Sequence, residues 1–63
     1  MNNVRFLPMT LRRGDRFYDP VGELWEITEV RRKDVTAAHI INRGASGITA
    51  KVRRSELEGW KRA

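Results

Sequence analysis

Between Gly14 and Trp60 the chain alternates short runs of apolar and polar residues with tight turns, and this rhythm points to a small β architecture. Alternation sends successive side chains to opposite faces of a strand. Gly14-Asp15 opens a first strand, expected over Leu11 to Asp19, with Phe17 inward and Arg16 and Tyr18 outward. Asp19-Pro20-Val21-Gly22 then reverses the chain: the fixed φ of Pro suits the second turn position, and Gly suits the last. The second strand is expected over Glu23 to Arg32, with Trp25 and Ile27 on one face. Val30 is out of phase with them, so a bulge near Thr28-Glu29 is needed to return it to the interior.

Lys33-Asp34 makes a tight connection into a third strand ending at Ile41. Val35, Ala37 and Ile41 are expected inside, and Thr36, Ala38 and Ile40 outside. The segment Asn42-Arg43-Gly44-Ala45-Ser46-Gly47 reads as a loop whose glycines can take positive φ. A fourth strand follows, with Ile48, Ala50 and Val52 inward and Thr49, Lys51 and Arg53 outward. Ser55 to Gly59 reads as one helical turn, with Ser55 as its cap and Gly59 as its end. Trp60 is expected to begin the last strand. Residues 1–10, interrupted by Pro8, read as an extended arm whose Val4, Phe6 and Leu7 pack on the domain's edge. Residues 11–63 are expected to form an all-β domain: a small five-stranded barrel with a short 3₁₀ turn before the last strand.

The length of 63 residues sits near the lower limit for independent folding. A chain of this size buries roughly 60% of its unfolded surface, which leaves only a few kcal/mol of net stability. The absence of Cys removes disulfides and thiolate metal sites together, and it fits a reducing compartment. No apolar run approaches the roughly 18 residues that span a bilayer, and the apolar stretch near Met1 is too short for a signal-peptide core. A cytoplasmic location with no membrane partner is the expectation.

The formal charge of +5 is unevenly spread. Residues 1–16 carry Arg5, Arg12, Arg13 and Arg16 against Asp15. Residues 51–63 carry Lys51, Arg53, Arg54, Lys61 and Arg62 against Glu56 and Glu58. The middle of the chain holds Arg31, Arg32, Lys33 and Arg43 but more carboxylates than cations. In a small barrel the first and last strands are neighbours, so the basic termini merge into one positive region that attracts polyanions. Arg12-Arg13 and Arg53-Arg54 offer planar donors for phosphate, and Arg31-Arg32-Lys33 sits at a hairpin tip. Tyr18 and Trp60 are candidate stacking faces for bases, whereas Trp25 belongs to the core.

Catalytic chemistry finds little support. His39 is the only histidine, on a strand, with no second His or Cys for a metal. Asp15 and Asp19 read as turn residues whose carboxylates hold nearby backbone N–H groups. Ser46 lies between glycines and Ser55 reads as a cap. Gly44-Ala45-Ser46-Gly47 is too short, and lacks the following helix, to cradle a phosphate. The chain is expected to be no enzyme and to need no cofactor.

Gly14-Asp15-x-Phe17, the turn ending at Gly22, Trp25-x-Ile27, Val35-x-Ala37 and Ser55-Glu56-Leu57 together resemble the SH3-like barrel superfold in its small bacterial, phage and plasmid versions. The resemblance covers roughly residues 11–62 and implies a binding module, although a shared fold does not carry a function with it. The KOW-type RNA and ribosome binders are similar in opening on Gly-Asp and a strand, but here an acidic Asp19-Pro-Val-Gly-Glu-Leu replaces their basic hairpin. The plasmid-encoded type II dihydrofolate reductases are similar in layout. Their pore-lining Val-Gln-Ile-Tyr falls at about Thr49-Ala50-Lys51-Val52, and this chain has no Gln, so their activity is not implied.

Two functions are expected from these features. The first is a small nucleic-acid-binding accessory or regulatory protein, with DNA ahead of RNA, contacting phosphate through an Arg-rich face. The second is a protein–protein interaction module or inhibitor from a mobile element. There the small apolar face of Thr36, Ala38 and Ile40 meets a partner or a second copy of the chain.

Overall fold

Each alternating run forms a strand in the computed structural model, which describes residues 10–63. In chain order these are β1 (Arg16–Tyr18), β2 (Leu24–Val30), β3 (Asp34–Ile41) and β4 (Gly44–Arg53), followed by a short helix α1 (Arg54–Leu57) and β5 (Lys61–Arg62). The arm expected over residues 1–10 lies outside the described residues, Thr10 excepted. All strand pairs are antiparallel, in the order β4-β3-β2-β1-β5. The fold is therefore all-β apart from one helical turn. The sheet is not closed, in contrast to the expected barrel: among the described residues β4 and β5 stand at its two edges. The local cause is that the chain leaves β4 through α1, and β5 has only two residues with which to extend a ladder.

The bulge needed on β2 is present. Ile27 pairs with Ala37 and Glu29 with Thr36, so Thr28 is the extra residue. Val30 thereby returns to the interior side and packs on the core. That core joins Phe17 of β1, Ile27 of β2, Val35 and Ala37 of β3, Val52 of β4 and Leu57 of α1. Leu11, Trp25, Val30, Ala50 and Trp60 pack around it half-buried. Burial of each large side chain contributes roughly 1.5–3 kcal/mol, so these few residues carry most of the folding free energy.

The expected loop at 42–47 is replaced by a two-residue turn. Asn42 and Arg43 have φ of 52° and 72°, and β4 begins at once with Gly44 opposite Ile41. Two successive left-handed residues give the type I′ twist that matches a tight hairpin. The extra length reappears within β4. Ala38 pairs with Thr49 but Ile40 with Ala45, so Ser46, Gly47 and Ile48 together face His39, and Gly47 takes a φ of 94°. The β3–β4 hairpin overhangs the core at this point. Ile41 and Ile48, expected inside, are 48% and 56% exposed. Ala38, expected outside, is buried.

The turn before the last strand is α-helical at its start and tightens only at its end. Glu58 N–H donates to the Arg54 carbonyl, then Gly59 N–H to Glu56 and Trp60 N–H to Leu57. Ser55 lies inside the helix and not at its cap. The capping position is Arg53, which makes no side-chain cap bond. Arg54 N–H is satisfied instead by the Lys33 carbonyl at 2.9 Å, which ties the helix to the β2–β3 turn. Gly59 keeps an ordinary negative φ, so the helix ends without a left-handed glycine.

Candidate nucleic-acid interface

Antiparallel pairing decides which charges meet. The end of β2, the start of β3 and the end of β4 lie together at one end of the sheet, and β1 begins partway along it, with Arg16 opposite Glu26. β5 stops level with the start of β1: Ala63 N–H donates to the Arg16 carbonyl, and Arg62 pairs with Phe17. Arg31-Arg32-Lys33 and Arg53-Arg54 therefore gather at this basic end, with Arg12-Arg13 toward it on the turn before β1, whereas Arg62 lies farther along the sheet opposite Phe17. Arg16 lies midway along the sheet, level with Glu26 and Ala38, and Lys51 lies two residues along β4 on the same face as Arg53.

Several of these cations are committed to the fold. Arg16 donates to Glu26 at 2.8 Å across β1 and β2. Arg31 reaches Glu29 at 2.9 Å, Asp34 at 3.2 Å and the Thr36 hydroxyl at 2.9 Å. Arg54 donates to the Arg31 carbonyl at 3.0 Å. Arg62 pairs with Asp15 at 3.3 Å, donates to the Thr10 carbonyl and lies 4.8 Å over the Phe17 ring. By contrast, Arg12, Arg13, Arg32, Lys33 and Arg53 are exposed and form no side-chain hydrogen bond or ion pair among the described residues. These side chains, with Lys51, remain available to a ligand.

The expected stacking aromatics are elsewhere. Tyr18 and Lys61 pair with each other toward the far end of the sheet. Trp60 packs on the core with its ring 6.2 Å from Trp25. Neither aromatic joins the basic end.

The far end is built around carboxylates. Asp19 Oδ1 accepts the Val21 and Glu23 N–H groups at 3.0 and 2.9 Å, and Oδ2 accepts the indole N–H of Trp25 at 3.0 Å. Partial burial pushes the Asp19 carboxyl up. The N–H groups of Glu23, Trp25, Val21 and Gly22 outweigh that effect and hold it below its ordinary value. Asp15 plays a similar role in the turn before β1, accepting Arg12 N–H at 3.0 Å. Both aspartates thus hold backbone N–H groups as their positions in the sequence imply.

His39, whose side chain is 12% exposed, packs at 5.0 Å from the Trp25 ring. Its Nε2 lies 2.6 Å from Glu23 Oε1, and its Nδ1 lies 3.3 Å from Ser46 Oγ. Ser46 Oγ also accepts Ile48 N–H at 3.2 Å, so the network pins the β4 bulge. Glu23 and Ser46 were not singled out from sequence as partners. The available signal was the inward parity of His39, which demands polar company. No group of three His, Asp or Glu converges to hold a metal ion among the described residues, and no helix there is long and apolar enough to cross a membrane. Among known proteins, no family model, curated protein or solved structure matches this chain.

Proposed function

We propose that this chain is a small SH3-like binding domain that engages nucleic acid, DNA ahead of RNA, through phosphate contacts at its basic end. The observation that carries the reading is the grouping toward that end of Arg12, Arg13, Arg32, Lys33 and Arg53, which have no side-chain partner among the described residues. Unpaired arginines and lysines on turns are suited to bidentate or point-charge contact with phosphate, and they supply the sequence-independent part of nucleic-acid affinity. Support for the SH3-like reading comes from the strand order, the β1–β5 pairing and the helical turn just before the last strand. That resemblance supports an accessory or regulatory role in a bacterium, phage or plasmid, and the absence of Cys fits a cytoplasmic setting.

The test is an anisotropy titration with labelled oligonucleotides across a salt series, with circular dichroism confirming the fold. Binding that weakens steeply with salt is expected. A folded protein that binds no oligonucleotide at low salt would remove the proposal.

One observation favours the second reading. Tyr18, Val21, Ile41 and Ile48, the exposed large apolar residues among those described, all lie toward the far end. A protein partner docked there fits better than one on the Thr36, Ala38, Ile40 face, since Ala38 is buried and Arg31 holds Thr36.

A further inference from the structure

We infer that the basic end takes duplex nucleic acid, gripping its backbone and leaving unpaired bases unread; this rests on the nucleic-acid reading above. Two observations lead there. The first is width. The unpaired cations are carried at the end of β4 (Arg53), at the β2–β3 turn (Arg32, Lys33) and just before β1 (Arg12, Arg13). With neighbouring strands about 4.8 Å apart, three inter-strand steps spread them over about 14 Å. Over that length a duplex presents about eight phosphate charges and one of its strands about four. These five cations outnumber the phosphates that one strand offers over this length, whereas a duplex offers enough for each of them.

The second observation is where the aromatic rings are. Binding of unpaired bases draws on aromatic faces beside a basic groove, each worth about 1–3 kcal/mol per base. Here Trp25 and Trp60 face one another and pack on the core. Tyr18, 43% exposed, sits toward the opposite end of the sheet from the unpaired arginines. Arginines at turns and strand ends are placed to follow a rigid backbone. The tied residues Arg31 and Arg54 hold that arrangement in register, Arg31 through Glu29 and Asp34, and Arg54 through the Arg31 carbonyl.

The experiment compares one labelled strand alone with the same strand annealed to its complement, titrated with the full chain at several salt concentrations. For about four phosphate contacts, a fourfold rise in salt should weaken duplex binding about 150-fold and single-strand binding about 50-fold. At low salt the duplex should bind at least tenfold tighter. Arg32→Gln with Lys33→Gln should flatten the duplex salt slope by roughly two contacts, and Tyr18→Ala should leave duplex affinity unchanged. Equal or tighter binding of the unpaired strand, or a loss on Tyr18→Ala, overturns the duplex inference while the nucleic-acid reading stands. Failure of both forms to bind the folded protein overturns that reading itself.

Discussion

Asp19 shows how much a single side chain organises here. Its carboxylate holds two backbone N–H groups of its own turn and the indole of Trp25, linking the β1–β2 turn to the edge of the core. Because the folded-state pKa lies below the ordinary value, the carboxylate contributes stability that is present above the unfolded pKa. That contribution is lost as pH falls through the folded pKa. Asp19→Asn keeps one acceptor but loses the charge, so the variant should melt below the wild type at neutral pH. The two melting temperatures should converge in acid, below the ordinary carboxylate range. Parallel melting curves across pH would show that the charge on Asp19 does not matter. Arg53 and Arg54 form a second contrast between neighbours. Arg54→Gln removes a charged hydrogen bond to the Arg31 carbonyl and should cost about 1–2 kcal/mol in denaturant unfolding. Arg53→Gln should cost less than about 0.5 kcal/mol yet weaken oligonucleotide binding. Reversed effects would exchange their roles.

At the scale of elements, the strands with uniform alternation were readable from the sequence, and those whose register shifts were only partly so. Phe17, Trp25, Ile27, Val35, Ala37 and Val52 show their faces by parity, and the misfit of Val30 points to a bulge near Thr28-Glu29, which the register places at Thr28. The β3–β4 connection was not legible, because Arg43 is a poor signal for a left-handed turn residue and Gly44 and Gly47 imitate a loop. A two-residue turn and a bulge consume the same residues as one six-residue loop. Ser55 misled for a similar reason: a serine beside a helix start suggests a cap, but the Lys33 carbonyl already satisfies the Arg54 N–H. What α1 does contribute is Leu57, fully buried in the core. Leu57→Ala should cost about 2–5 kcal/mol, enough to unfold much of so small a domain at room temperature. A loss under about 1 kcal/mol in chemical denaturation would mean the core closes without α1.

For the molecule as a whole, the basic composition was plain, but the division between structural and available cations was not. That division depends on register and on contacts distant in sequence, such as Arg16 with Glu26 and Arg62 with Asp15. The same pairing moved Tyr18 and Trp60 away from the arginines they had been grouped with. It also left the two ends of the sheet chemically distinct, exposed cations at one and the Asp19, Glu23 and His39 network with exposed Ile41 and Ile48 at the other. On β3, His39 stands five residues from Asp34, which faces Arg53, an interval of about 17 Å. Ionic screening at physiological salt decays over about 8 Å, so the interval is about two screening lengths. A charge gained or lost beside His39 is therefore largely screened from Arg53 and its neighbours. Occupancy of one end also leaves the other sterically open, so a partner bound at the apolar end and a polyanion at the basic end would behave as independent tenants of one small sheet.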